Sequence, residues 1–523
     1  MKVLTAQEMK KIDLETINKI GLPAQVLMSL AGKSIADQLI KRFPFTENYT
    51  PVYAIICGSG NNGGDGFVTA YFLKNAGYKI DLFLVGSKKK LQKPAKIFME
   101  ACLKLGLKLT EINEKNYKNI SFKSYTHLVD ALLGTGFKGE VQKIMACIIN
   151  KINISKKFII AVDLPSGLPS DGDFPLGAVI KANLTFTLGF PKISLVTYPG
   201  QKNTGELKIL DIGFPKELTS LDNLKTTLID QKFVTKNLFL NDDPDIHKGD
   251  QGSLLLVGGF EGMEGAIIMT ALAALETGLG LITLVTSETS RSIIAGRVPE
   301  LMTKGIDCRK NINDQIQKIF KGKKYKALVV GPGLGRTEES GQVFSSIING
   351  LTRGSIDRVL IDADGIFWLG KYLNENSNKK KSLKIKGDKI KFILTPHFKE
   401  ASYLIGNSVL GIKRNRFKAA KEIAEKTGAT VFLKGPASIV TDARQTFINT
   451  TGNQSLATGG TGDVLSGIIG ALLLKSFNPL IAASLGAYFH GKAADLYLAE
   501  NKNFSLRATA LLKYLKKAYA SVN

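Results

Sequence analysis

The stretch that most limits what this chain can become is Ala457-Thr-Gly-Gly-Thr-Gly-Asp-Val-Leu-Ser-Gly467. Gly459, Gly460 and Gly462 strip the loop of side chains, and Asp463 opens an apolar run, Val464 to Leu474, whose pattern and length suit a buried helix. Backbone N–H groups at such a helix start point outward unsatisfied, and the macrodipole adds roughly half a positive charge there, so the turn holds a phosphate without any lysine. Asp463 is the odd member. A first-turn carboxylate can simply cap its helix, yet a loop that needs only a cap does not need three glycines. The sharper reading makes Asp463 a general base that deprotonates a hydroxyl attacking a phosphoryl group held by the same loop.

A second glycine turn lies far upstream. Two helices, broken at Gly21-Leu22-Pro23, are expected over residues 5 to 42, and then a strand, Val52 to Cys57, runs into Gly58-Ser-Gly-Asn-Asn-Gly-Gly-Asp-Gly66 and a further helix. The spacing matches the dinucleotide fingerprint GxGxxG, with Asp81 about twenty residues on, where a ribose-binding acid would sit. That rule alone reads a Rossmann dehydrogenase. The loop holds more than the rule asks for: Asp65 would repel a pyrophosphate, and Asn61-Asn62 bring side-chain oxygens that suggest a cation site or a polar substrate cradle. An Asn-Gly turn with a capping Asp is the plainer alternative.

Further strands alternate with helices at Lys79 to Val85, Thr126 to Val129, Phe158 to Val162 and Asn183 to Thr187, the pattern of a parallel α/β sheet whose sites gather at the strands' carboxyl ends. Those ends carry Asp130 and a glycine turn, Asp163-Leu-Pro-Ser-Gly167, and Pro191-Lys192. Any one acid could be a cap, but Asn62, Asp130, Asp163, Ser166 and Lys192 on convergent turns read as a site, with Asp163 and Lys192 as its candidate catalytic residues.

Length and composition set outer bounds. A chain of 523 residues, 44% hydrophobic and 22% charged, holds two or three soluble globular domains. The net charge of +25 is spread through lysine-rich clusters without interleaved aromatics, which favours a solvated basic face over nucleic-acid binding. Cys57, Cys102, Cys147 and Cys308 lie far apart and read as buried free thiols in a reducing compartment. The first ten residues lack the apolar core of a signal peptide, so a cytoplasmic protein is expected. The run from Gly265 to Thr286 is interrupted by Glu276 and Gly278-Leu-Gly280 and reads as a buried helix followed by a buried strand, so no membrane partner is expected.

Gly60-Asn-Asn-Gly-Gly-Asp-Gly66, Val129-Asp-Ala-Leu-Leu-Gly-Thr-Gly136, Ala161-Val-Asp-Leu-Pro-Ser-Gly167, Pro191-Lys192 and Asp211-Ile-Gly-Phe-Pro215 together resemble the NAD(P)H-hydrate epimerase domain. The resemblance implies a Rossmann-like three-layer domain over residues 1–215 that inverts C6 of the hydrated nicotinamide ring. It implies potassium held by Asn62, Asp130 and Ser166, and substrate along Asn61, Asn62, Gly63, Gly64 and Asp65 and along Gly134, Thr135, Gly136, Phe137, Lys138, Gly139 and Glu140, with Asp163 close to the reacting carbon. Ser29 stands where that family usually carries Glu.

Residues 216–240 lose the motif density and are expected as a linker, with Asn241-Asp-Asp-Pro-Asp245 just beyond it. Over 241–523 the strand, glycine turn and helix pattern returns: His247-Lys-Gly-Asp-Gln-Gly252 before Ser253 to Val257, then Ala327 to Val330 with Gly331-Pro-Gly-Leu-Gly335, Arg358 to Ile361 with Asp362-Ala-Asp364, Lys391 to Leu394 with Thr395-Pro-His397, and Thr430 to Leu433 with Lys434-Gly-Pro-Ala-Ser438. Hairpin-like runs at Ser438 to Thr441 and Thr446 to Asn449 follow. With the Gly459 to Asp463 loop these segments resemble the ribokinase-like ADP/ATP-dependent NAD(P)H-hydrate dehydratase. The resemblance implies that Ala266, Gly333, His397 and Asp463 contact the hydrate, while Lys434, Gly435, Pro436, Ala437, Ser438 and Gly462 hold ADP or ATP as co-substrate, with Mg²⁺. A homo-oligomer, a tetramer or larger, is expected.

Hydroxide leaves poorly, so water loss from the hydrated ring is helped by phosphorylating its hydroxyl first, which a base, an anion loop and Mg²⁺ supply. A ribokinase-type small-molecule kinase would use the same parts and would leave a stable phosphate ester. A basic interaction protein on a degenerate enzyme fold would instead bind with a steep salt dependence.

Overall fold

The computed structural model describes residues 1–47, 49–219, 224–238, 252–322, 325–351, 356–375, 389–476 and 478–522. The chain divides into two units, Lys2–Thr226 and Thr227–Asn523, with Met1 belonging to the second.

The first unit opens with helix α1, Ala6–Asn18, fixed by a capping box in which Thr5 Oγ1 accepts the Glu8 N–H at 3.1 Å and the Glu8 carboxylate accepts the Thr5 N–H at 2.8 Å. Helix α2, Ala24–Arg42, follows the Gly21-Leu22-Pro23 break. Seven parallel strands come next: β1 Val52–Cys57, β2 Lys79–Val85, β3 Leu109–Ile112, β4 His127–Ala131, β5 Phe158–Val162, β6 Leu184–Leu188 and β7 Glu206–Leu210. Their order, β3-β2-β1-β4-β5-β6-β7, reverses direction between β1 and β4 and so opens a crevice at the carboxyl ends of those two strands. Helix α3, Asn61–Asn75, starts in that crevice. Gly63 allows it to: a Cβ there would lie 1.9 Å from the Gly58 carbonyl oxygen, so any side chain would push the helix off the turn.

In the two large sheets sequence patterning misses four strands, β3 and β7 here and, in the second unit, Thr226–Leu228 and Met302–Ile306. All four lie at sheet edges, where short strands carry polar residues such as Thr110, Glu111, Glu206 and Lys208.

The second unit is built on ten strands: β8 Thr226–Leu228, β9 Leu254–Val257, β10 Ile282–Ser287, β11 Met302–Ile306, β12 Ala327–Val330, β13 Arg358–Ile361, β14 Lys391–Leu394, β15 Thr430–Leu433, β16 Ser438–Thr441 and β17 Thr446–Asn449. From β11 the order runs β10-β9-β12-β13-β14-β15 in parallel, then turns antiparallel through β16 and β17 to β8. The run from Gly265 to Thr286 is helix α4, Glu264–Glu276, followed by β10, and no helix among the described residues is long and apolar enough to cross a membrane.

Two expectations need correction. The 216–240 segment is not a plain linker, because it carries a short helix, Lys216–Thr219, the edge strand β8, and a helix Gln231–Asn237 that the Asp230 carboxylate caps at 2.8 Å from the Phe233 N–H. Ile229 and Val234 bury there in the core of the second unit, so the loss of motifs marked a loss of chemistry and not of packing. Of the four cysteines only Cys57 and Cys102 are buried, while Cys147 and Cys308 are exposed. The expectations at Asn241 to Asp245 and His247 to Gln251 lie outside the described residues.

Candidate active sites

The crevice of the first unit is a cavity of about 960 Å³ lined by Asn61, Asn62, Asp65, Gly134 to Lys138, Asp163 and Lys192, together with Asp13 from α1 and Met28 from α2. Gly63 and Gly64 are buried in the first turn of α3, and Gly139 and Glu140 fall outside the lining. Asp65 is the fifth residue of α3, turned inward, and burial pushes its carboxyl well above the usual carboxylate range. Asp81 is elsewhere: its carboxylate accepts the Tyr125 hydroxyl at 2.8 Å, away from the cavity lining, which removes the ribose-binding role the dinucleotide rule suggests.

Asn62 and Ser166 meet at one carbonyl, and Asp130 joins them through Ser166. Asn62 Nδ2 donates to Leu133 O at 3.0 Å and Ser166 Oγ reaches the same oxygen at 3.3 Å. Ser166 Oγ also donates to Asp130 Oδ1 at 2.6 Å, and the Ser166 N–H to Asp130 Oδ2 at 2.8 Å. Asn62 Oδ1 is buried without a partner. Burial raises the Asp130 carboxyl to about 6 against the opposing pull of those hydrogen bonds.

Asp163 closes β5 with a left-handed backbone, φ 62°, which turns its carboxylate across the sheet toward β6. Its Oδ1 accepts the buried Lys192 ammonium, the Leu188 N–H at 3.1 Å and the Thr187 hydroxyl at 3.3 Å. Lys192 Nζ completes its shell with Thr187 Oγ1 and Leu188 O, each at 3.1 Å. Sequence reasoning missed two lining acids, Asp171, which accepts the Ala6 N–H at 2.7 Å, and Asp13. Its signal was its place one residue after Ile12 and four after Met9, both buried, which puts a carboxylate at the margin of the covered face of α1.

In the second unit the glycine loop leads into helix α6, Thr461–Lys475, through Gly460 at φ +91°, and Asp463 stands in its first turn. Burial, with Asp362 nearby, raises the Asp463 carboxyl to about 7, opposed by Lys434. Lys434 follows β15 and lies against the loop, since a Cβ on Gly462 would sit 3.3 Å from its ammonium. That ammonium donates to Asp362 Oδ1 at 2.6 Å, and Ser466, one turn along α6 from Asp463, donates to Asp362 Oδ2 at 2.7 Å. Asp362 is therefore the partner that holds the glycine loop, the lysine and the helix together. Its place at the end of an apolar strand was visible in sequence, but its partners were not.

Gly435, Pro436 and Ala437 form the turn between β15 and β16, and Ser438 begins β16. The buried Arg416 guanidinium donates to Pro436 O and, at 3.1 Å, to Ala437 O. No spacing in the sequence points to Arg416. His397 caps helix α5, Phe398–Ile405: its Nδ1 accepts the N–H groups of Lys399 and Glu400, each at 3.1 Å, so Nε2 carries the proton of the neutral ring. Burial and the Lys434 charge lower its pKa. Gly333 lies close to α4, where a Cβ would be 3.2 Å from that of Ala266, and Thr270, one turn beyond Ala266, donates to Asp463 O at 3.1 Å. Ala266, Gly333, Lys434, Gly462 and Asp463 thus come together around the start of α6, and His397 is within electrostatic reach of Lys434 and Asp362.

Residues 254–517 match the family model described as NAD(P)H-hydrate dehydratase, and residues 24–194 the one described as YjeF-related protein N-terminus. The chain is 32% identical over 526 residues to the bifunctional NAD(P)H-hydrate repair enzyme Nnr of Moorella thermoacetica, across 98% of this chain and 96% of that protein. The Escherichia coli protein of the same name is 32% identical over 518 residues, across 98% of this chain and 93% of its own length. A solved ADP/ATP-dependent NAD(P)H-hydrate dehydratase from Bacillus subtilis, co-crystallised with ATP and Mg²⁺, is 27% identical and covers 57% of this chain and 98% of its own, with a TM-score of 0.48. With both domain models matched in order and relatives alike along nearly its whole length, the chain belongs to the bifunctional NAD(P)H-hydrate repair enzyme family.

Proposed function

We propose that the chain repairs hydrated NADH and NADPH in two pockets: the first unit interconverts the R and S epimers at C6, and the second dehydrates the S epimer with ADP or ATP. The observation that carries the reading is the surround of Asp463, a carboxyl raised to about 7 by burial, at the start of a glycine-led helix and beside a lysine. Such a group is poised to change protonation near neutral pH, which is what a general base requires. Asp463 takes the proton of the C6 hydroxyl, and the oxygen attacks the terminal phosphoryl group of the nucleotide. The N–H groups of the Gly459 to Gly462 loop and the Lys434 ammonium receive the phosphoryl charge. ADP, or AMP when ADP is the donor, departs. Phosphate then leaves from C6 and C5 gives up a proton, so the reduced nicotinamide ring is restored with inorganic phosphate as product. Mg²⁺ accompanies the nucleotide and offsets its phosphate charge.

In the first unit the residues fit a hard, oxygen-preferring cation. Asn62 Oδ1 is buried without a partner, and Asp130 is a wholly buried carboxylate. Potassium held by Asn62, Asp130 and Ser166 would offset that charge and fix the turns that line the cavity. Asp163 and Lys192 face the cavity where the hydrated ring would lie.

The test is an incubation of the full chain with mixed hydrate epimers, K⁺, Mg²⁺ and either nucleotide, following near-ultraviolet absorbance. Complete recovery of reduced cofactor with stoichiometric inorganic phosphate is expected. Recovery that stops at the S fraction would remove the epimerase half, and a stable phosphate ester would make the second unit a kinase.

A further inference from the structure

The first unit leaves one acid of its cavity without a role. Asp13 projects from α1 into the space lined by Asn62, Asp163 and Lys192, and among the described residues none hydrogen-bonds its carboxyl. Asp163 differs, since one of its oxygens already accepts three donors. Asp65, on the second turn of α3, is buried where Asp13 is partly open, and Asp171 already accepts the Ala6 N–H at 2.7 Å.

We propose that Asp13 is the general base of epimerisation, taking the proton of the C6 hydroxyl while Lys192, held by Asp163, donates a proton to the ring nitrogen. The proposal rests on the epimerase reading given above and adds the proton path. C6 of the hydrate carries a hydroxyl and the ring nitrogen N1 on one carbon, so it opens as a carbinolamine does. The O–H pair becomes the second bond of a C6 carbonyl, the C6–N1 bond breaks, and N1 takes up a proton, leaving an aldehyde and an enamine with atoms and charge conserved. Rotation about C5–C6 presents the other carbonyl face, and reclosure returns each proton to its source. Each direction needs a base and an acid at the same moment, and Asp13 and Lys192 line one cavity and sense each other's charge.

The surroundings suit a base. Burial raises the Asp13 carboxyl to about 6, with Lys192 pulling it down and Asp163 pushing it up. Asp65 also senses it, and Asp171, Lys138 and Lys10 line the same cavity. On the short helix packed against α1, Lys216 and Glu217 are exposed. A base so placed is ionised at neutral pH and loses its capacity as pH falls through about 6.

The experiment uses the full chain without nucleotide, so that only epimerisation runs. Purified R hydrate is converted to S and resolved by chromatography across pH 5 to 8, for the wild type, Asp13→Asn and Asp13→Glu. Asp13→Asn is expected to slow interconversion by about 10²–10⁴-fold, the usual contribution of a general base, and to lose the acidic limb of the profile. Asp13→Glu should keep the limb at a reduced rate. Dehydration of purified S hydrate by the same preparations should be unchanged, and an unshifted denaturation midpoint of the first unit shows that its crevice has folded. An Asp13→Asn enzyme that keeps its rate, or that is slow but retains the limb near pH 6, overturns the proton-transfer role. A wild type that does not interconvert the epimers at all refutes the epimerase reading instead.

Discussion

The two pockets hold their lysines in opposite ways. In the first unit Lys192 is buried at the cavity wall, with its side chain 1% exposed, and is paired with Asp163, a carboxylate of the same wall. In the second, Lys434 is 20% exposed and is spent on Asp362, one step removed from Asp463. The difference follows from the tasks assigned above. Moving protons within one substrate needs an acid and a base fixed side by side, whereas transferring a phosphoryl group needs a base near neutrality and a cation still free on one side to meet an incoming anion.

The comparison breaks most sharply at two carboxylates, the base of the second pocket and the partner of the lysine in the first. Asp463→Asn should lower dehydration by about 10²–10⁴-fold with nucleotide binding retained, measured as single-turnover recovery of absorbance beside equilibrium nucleotide titration. Unchanged turnover would remove the base role. Asp163→Asn should cost interconversion a loss of the same order and leave dehydration of S hydrate intact; equal loss of both activities would count against independent pockets.

Removing the lysines carries the comparison into stability. Lys192→Met strands a buried carboxylate and should cost the first unit about 3–5 kcal/mol, read from its denaturation midpoint. Lys434→Met strands Asp362, whose side chain is 1% exposed against 12% for Asp163, and should cost the second unit no less.

The smallest effects concern pH. Asp463 acts as a base only when ionised, so dehydration should fall about tenfold per unit below pH 7, the region to which its carboxyl is raised. Lys434 lowers that value and Asp362 raises it. At saturating nucleotide, Lys434→Met should therefore move the acidic limb up by about one unit and Asp362→Asn should move it down by about one. Shifts of the same sign would show that the limb belongs to another group.

How much of this was legible beforehand depended on whether a residue works along the chain or across it. The strand ends at Asp130, Asp163 and Asp362 and the turns at Gly60 and Gly459 follow from local pattern, because glycine and acid after an apolar run have few other uses. Edge strands β3 and β7 did not, since a short, half-exposed strand with polar residues in it resembles a loop. Asp13 and Arg416 did not either, since each comes to its pocket from a helix distant in sequence from the turns it serves. The dinucleotide fingerprint misled for the converse reason: it captures the shape of the turn, while the side chains set upon it decide the chemistry.

Gly60 and Gly63, three apart in one turn, answer to different masters as the sequence drifts. A methyl group at Gly60 would meet no protein atom within 4 Å and would stand in the cavity, whereas one at Gly63 would strike the chain's own carbonyl. Change at the first is judged by whatever molecule arrives, and change at the second by whether the crevice exists to receive it.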